Sequence, residues 1–138
     1  MHLLSSRFLD NKGKIVTLFL ASVSVALLNR LYVNLIVGVQ PIMLFMRWYF
    51  NDIVGAIAFC AYCDLMSIIF LKKTMRYLNM ILLIIVAGLF WEYITPMFRI
   101  DTTGDYNDLF AYALGANLYY LIRKALNITN NETCSCKD

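Results

Sequence analysis

Charge is scarce in this chain. Charged residues make up 15% of its 138 residues, against about 25% in an ordinary soluble domain. Histidine is scarcer: the single one is His2. That excludes His-based triads and HExxH zinc sites, and it argues against histidine acid–base chemistry. The net charge is only +3, with no basic tract and no nucleic-acid-binding motif, so nucleic acid is not an expected partner. The four cysteines form two close pairs. Cys60 and Cys63 read C-A-Y-C within an apolar run, first as small polarizable packing residues and alternatively as a redox pair. Cys134 and Cys136 sit in a polar stretch that lacks the further ligands a metal needs. No cofactor is expected.

Apolar residues, by contrast, make up 61% of the chain, and the mean hydropathy is +0.66. This excess must face something other than water. A spanning helix needs roughly 20 residues, so about four spans with their loops use nearly the whole chain and leave no room for a soluble catalytic domain. The expected fold is therefore all-α: a transmembrane bundle of about four helices. It forms one domain over residues 1–126, followed by a polar tail over 127–138.

The spans can be placed along the chain. Residues 1–14 are polar and carry Arg7, Lys12 and Lys14. Residues 15–28 form a continuous apolar run, extended past Asn29 and Arg30 by Leu31, Tyr32 and Val33. No clear small-x-small cleavage site follows, so this reads as a retained span. Residues 34–50 are apolar but contain Asn34, Gly38, Gln40 and Pro41. The Gln-Pro pair biases against a straight helix. An interfacial or re-entrant segment is expected there, tethered by Trp48 and Tyr49 at headgroup level; a fifth, broken span is the alternative. The second span covers about 51–71 and ends at Lys72, Lys73 and Arg76. The third covers about 79–95, with Pro96 as its stop. A loop over 97–104 carries Arg99, Asp101 and Gly104. The fourth covers about 105–122 and closes at Arg123 and Lys124.

Basic residues orient such a bundle, because they are retained on the cytoplasmic side. Arg7, Lys12, Lys14, Lys72, Lys73, Arg76, Arg123 and Lys124 fall on one side; Arg30, Arg47 and Arg99 fall on the other. Both termini are therefore expected in the cytoplasm. The sequons at Asn127 and Asn131 then lie on the cytoplasmic side.

The same orientation gathers Asp52, Glu92, Asp101, Asp105 and Asp108 at the outer ends of the spans, with Asn29, Asn51, Arg30, Arg47 and Arg99 at their level. A charge in hydrocarbon costs about 2.5–3.5 kcal/mol at mid-helix, so such groups face the bundle interior and pair. Asp105, Asp108, Tyr112, Gly115 and Tyr119 are spaced to share one helix face, where Gly115 allows a neighbouring helix to come close. The bland reading is an ionic and hydrogen-bonded network that fixes packing. The sharper one is an outward polar pocket for a ligand, because the acids outnumber the arginines. Asp64 is separate. It lies roughly 10 Å from the inner end of its span, within reach of Lys72 or Lys73, and reads as a snorkelling group or as a proton relay.

From Glu92 onward the third and fourth spans resemble the VanZ-like family of small bacterial membrane proteins. That family shows a Glu near the outer end of one helix, an Arg-containing loop, then a helix opening D-x-x-D-x-x-x-N-x-x-G. Glu92, Arg99, Asp105, Asp108, Tyr112 and Gly115 fall at matching positions. Tyr112 replaces the usual Asn, and Thr95 stands where Gln is common. The resemblance implies a cytoplasmic-membrane protein acting near cell-wall precursors or lipid headgroups, its namesake being linked to teicoplanin resistance. Three functions compete. The first is a non-enzymatic protein that binds an envelope component or glycopeptide-type drug at the outer pocket, or modulates a membrane partner. The second is a small enzyme acting on a lipid-linked substrate, with Glu92 and Asp105 or Asp108 as acid and base. The third is a proton-coupled transporter or transporter subunit using Asp64.

Overall fold

The computed structural model describes residues 2–35, 45, 49–98 and 106–128. Among these there are four long helices and no strand. Helix α1 spans His2–Leu35, α2 spans Phe50–Leu71 and α3 spans Tyr77–Leu89. A π turn, Phe90–Ile94, and the short α4, Thr95–Phe98, carry the third rod onward, and α5 spans Tyr106–Ala125. Three helical stretches are long and apolar enough to cross a membrane: Leu9–Tyr32, Phe50–Leu71 and Tyr77–Ile94.

The helices differ in how much of them the bundle covers. In α2, 39% of the spanning window is buried, against 11% in α1 and 17% in the α3 rod. So α2 is central, and α1 and α3 turn apolar side chains outward. Leu20, Leu27, Leu28 and Leu31 on α1 and Leu78, Leu82 and Val86 on α3 are all exposed. Such contiguous apolar surface is not sustained in water.

Helix α2 packs against α1 on one side and α5 on the other, and α5 also packs against α3. The bond from Asn29 Nδ2 to Asn51 Oδ1, 3.0 Å, joins the end of α1 to the start of α2, so those two run antiparallel. Tyr77 at the start of α3 donates to Asn117 Oδ1 late in α5 at 2.7 Å, so α3 and α5 are also antiparallel. Helix α5 runs parallel to α2: Gly115 lies against Ile53, and Tyr119 meets Asp64. The four rods thus alternate in direction along the chain. Glycine makes the closest approach. A Cβ on Gly115 would collide with the Ile53 carbonyl and come within 2.7 Å of the Ala56 Cβ. Only the missing side chain lets α5 reach the α2 backbone.

The described structure runs beyond the spans read from the sequence at three ends, and at one of them, Pro96, it corrects an expected stop. The helix of the first span starts at His2, so the polar N-terminal residues extend α1 rather than precede it. Pro96 does not stop the third rod, which continues to Phe98. Proline has no N–H for the carbonyl four residues earlier, that of Glu92. The rod accommodates this by widening into a π turn at Phe90–Ile94. The body also reaches past residue 126. Asn127 takes φ 54°, its N–H bonds the Lys124 carbonyl and the Ile128 N–H bonds the Arg123 carbonyl, each at 3.1 Å. This is a Schellman close, with asparagine tolerating the left-handed position. It folds Ile128 into the core, where it is 4% exposed. The expected re-entrant segment over 34–50 lies largely outside the described residues, as do the tail beyond 128 and Arg99, Asp101 and Asp105.

Candidate functional site

Most of the charges fall at the two ends of the bundle by sign, with Asp10 paired to Lys14 at 2.7 Å and Arg30 at the opposite end as exceptions. One end, the basic end, collects Lys12 and Lys14 of α1, Lys72, Lys73 and Arg76 of the α2–α3 turn, and Arg123 and Lys124 of α5. Antiparallel alternation brings these segments together. The other end, the acidic end, holds Asp52 at the start of α2, Glu92 in the π turn and Asp108 at the start of α5.

At the acidic end Tyr112 is the centre. Its hydroxyl donates to Glu92 Oε1 at 3.2 Å. Asp52, Glu92 and Asp108 all lie within Coulombic reach of Tyr112, and Asp108 and Glu92 within reach of Asp52. Three helices therefore contribute one carboxylate each. Asp52, Glu92, Asp108 and Tyr112 are all half-buried, a setting in which like charges interact more strongly than in open water. Asn51, next to Asp52, accepts from Asn29. Arg30 is exposed on α1. Among the described residues, no three of His, Cys, Asp and Glu converge tightly enough to hold a metal ion.

The stripe expected on α5 packs as one face. Gly115 and Tyr119 are buried, and Asp108 and Tyr112 half-buried. Gly88 on α3 meets it from the other side: a Cβ there would come within 2.9 Å of Leu109 and 3.0 Å of Tyr112.

The second polar constellation lies toward the basic end, and its partners were not legible in the sequence. Asp64 is completely buried. It accepts from the Met75 N–H at 2.6 Å, the Tyr119 hydroxyl at 2.7 Å and Arg123 Nη1 at 2.9 Å. Arg123 Nη1 also donates to the Met75 carbonyl at 2.8 Å, and the guanidinium stands 5.7 Å from the Tyr120 ring centre. The Asp64 and Arg123 side chains are 0% and 8% exposed. The partner expected for Asp64 was Lys72 or Lys73. Instead both lysines are exposed, and an arginine from α5 takes the place. A planar fork reaches a carboxylate and a carbonyl together, which an ammonium does less well. Arg123 follows Tyr119 by four residues and so shares its helix face; that spacing was the available signal. Among the described residues, no buried side-chain nitrogen or oxygen lacks a hydrogen-bond partner. Asp64 is therefore fully engaged in a closed node, which suits a latch between α2, α5 and the α2–α3 turn better than a relay.

Cys60 is fully buried in the core and Cys63 half-buried; both are free thiols. No family model, no curated protein and no solved structure matches the chain.

Proposed function

We propose that this chain is a four-pass, VanZ-like protein of the bacterial cytoplasmic membrane, with both termini in the cytoplasm and its acidic end facing outward. In this reading α5 is the fourth span. Its polar residues keep it below the apolarity of the other three; Tyr112, Tyr119 and Arg123 turn toward α2 and the third rod, while Asn107, Asn117 and Lys124 are exposed. The acidic end binds a cationic, hydroxyl-rich component of the cell envelope or a glycopeptide-type drug, directly or in concert with a membrane partner.

The observation that carries this reading is the gathering of Asp52, Glu92 and Asp108 around Tyr112. Carboxylates from three helices gathered at one end raise the negative potential there, which favours the approach of a cationic group. The opposite placement of the lysines and arginines supports the orientation. The order Glu92, Asp108, Gly115 supports the family proposal, with Tyr112 in place of asparagine.

The test uses cells expressing wild type and the Glu92→Gln/Asp108→Asn pair at equal membrane levels, challenged with teicoplanin. The expected result is protection by wild type that the paired variant loses, together with teicoplanin-dependent thermal stabilisation of the purified wild type alone. Equal protection by both proteins would remove the acidic end from the function.

A further inference from the structure

The third rod meets α5 in two different geometries. Along α3 the buried residues are Met80, Ile84 and Gly88, four apart. An α-helix closes a full circle in about 3.6 residues, so each step of four overshoots by about 40°. By Gly88 the buried line has drifted about 80° from Met80, and a further α step would carry residue 92 past the face that α5 covers. The rod instead enters the π turn, Phe90–Ile94. Bonds between residues five apart make a wider turn, which rotates less per residue. Glu92, in the middle of it, is thereby held closer to the line of Gly88. It is half-buried and accepts from the Tyr112 hydroxyl at 3.2 Å, while Trp91 and Tyr93 on either side are exposed. Gly88 completes the seat one turn earlier. The Tyr112 ring lies where a side chain would be, 3.0 Å from a Cβ placed on that glycine.

We infer that the π turn is a register device, set by Pro96, that seats Glu92 on Tyr112, so that Pro96 is a positioning residue of the acidic end acting through the backbone. Proline offers no N–H to the Glu92 carbonyl four residues earlier, and the α bond that would close this turn cannot form. The wider turn is the alternative that keeps the rod helical on both sides, and single π turns of this kind recur at functional sites. An alanine at position 96 restores the N–H. The rod then closes as a regular α-helix, and Glu92 turns away from α5.

This positioning role deepens the reading of the acidic end as a binding site, but it does not depend on what binds there, so the test needs no ligand. Unfolding of the full chain in mixed micelles gives the coupling between Glu92 and Tyr112, from Glu92→Gln, Tyr112→Phe and the two together. The cycle is measured in wild type and again with Pro96→Ala. In wild type the pair is expected to be non-additive by about fivefold in the unfolding constant, the worth of one hydrogen bond at a half-buried place. With Pro96→Ala the non-additivity is expected to vanish. The control is the bond from Tyr77 to Asn117, 2.7 Å, which joins α3 to α5 ahead of the π turn. Coupling of Tyr77→Phe with Asn117→Ala is expected to be the same in both backgrounds. A change in overall stability caused by Pro96→Ala, in either direction, does not enter these ratios. An undiminished Glu92–Tyr112 coupling with Pro96→Ala overturns the positioning role. Absence of that coupling in wild type overturns it too. So does loss of both couplings together, which would mean that the proline governs the packing of the whole rod. A structure of the Pro96→Ala protein checks the same point directly: residues 90–94 should close as α-helix with Glu92 away from Tyr112, and a persisting π turn overturns the role. Teicoplanin protection is a separate result, and its failure would remove the proposed ligand while leaving the seat of Glu92 standing.

Discussion

Removing Arg123 should unlatch the bundle at its basic end. Arg123 and Asp64 bury their charges almost completely, and each is worth keeping charged only while the other is present. Taking away one member of such a pair leaves an uncompensated buried charge, at a cost of about 3–5 kcal/mol. Arg123→Met is expected in that range, since it also strips a donor from the Met75 carbonyl. Asp64→Asn is expected there as well, and to cost more than Asp108→Asn, because Asp108 is half-buried. Tyr119→Phe removes one hydrogen bond to an ionised acceptor and is expected to cost about 1.5–3 kcal/mol. The decisive variant is Asp64→Asn combined with Arg123→Met. It removes both charges and keeps one oxygen for the Met75 N–H, while the new amide NH2 faces the Tyr119 hydroxyl, which turns to accept from it, so it should cost less than either single change. Unfolding each protein in mixed micelles by titration with denaturing detergent measures the four corners of the cycle. Single-variant costs below about 1 kcal/mol, or a double variant additive to within about 0.5 kcal/mol, would refute the latch.

Gly115→Ala should destabilise by about 1–3 kcal/mol, because its Cβ meets the Ile53 carbonyl, a backbone atom that cannot move aside. Gly55→Ala, with nothing within 4 Å, should be neutral or stabilising by up to about 1 kcal/mol; thermal denaturation of both in one detergent makes the comparison, and equal effects would mean that α5 and α2 are not in close contact. Tyr112→Phe should cost about 1 kcal/mol by the same measurement, since its 3.2 Å bond to Glu92 is only half-buried; a loss as large as that of Tyr119→Phe would mean that the acidic end is as closed as the latch. An impermeant maleimide applied to intact cells should leave Cys134 and Cys136 unmodified, and labelling only after permeabilisation checks it. Ready labelling beforehand would reverse the proposed orientation and place the acidic cluster inside.

Composition and the spacing of charge along the chain were enough to specify helices, roughly where they lie, and which ends share a sign. An apolar run long enough to cross a bilayer satisfies its backbone only as a helix unless it joins a closed barrel, and alternating passes bring the two charge sets to opposite ends. The face of α5 was legible too, because residues three and four apart lie together on a helix. Pro96 was misread because a missing N–H ends an α-helix only if the turn cannot widen, and the π turn at Phe90–Ile94 widens it. Pairing was the part that only the tertiary structure decided. Asp64 and Arg123 stand 59 residues apart, and the four-residue spacing of Tyr119 and Arg123 puts Arg123 on the packed face of α5 without saying which carboxylate it meets. Which cation reaches a buried carboxylate depends on how two helices cross, and that crossing is set by Gly115 seated on the α2 backbone.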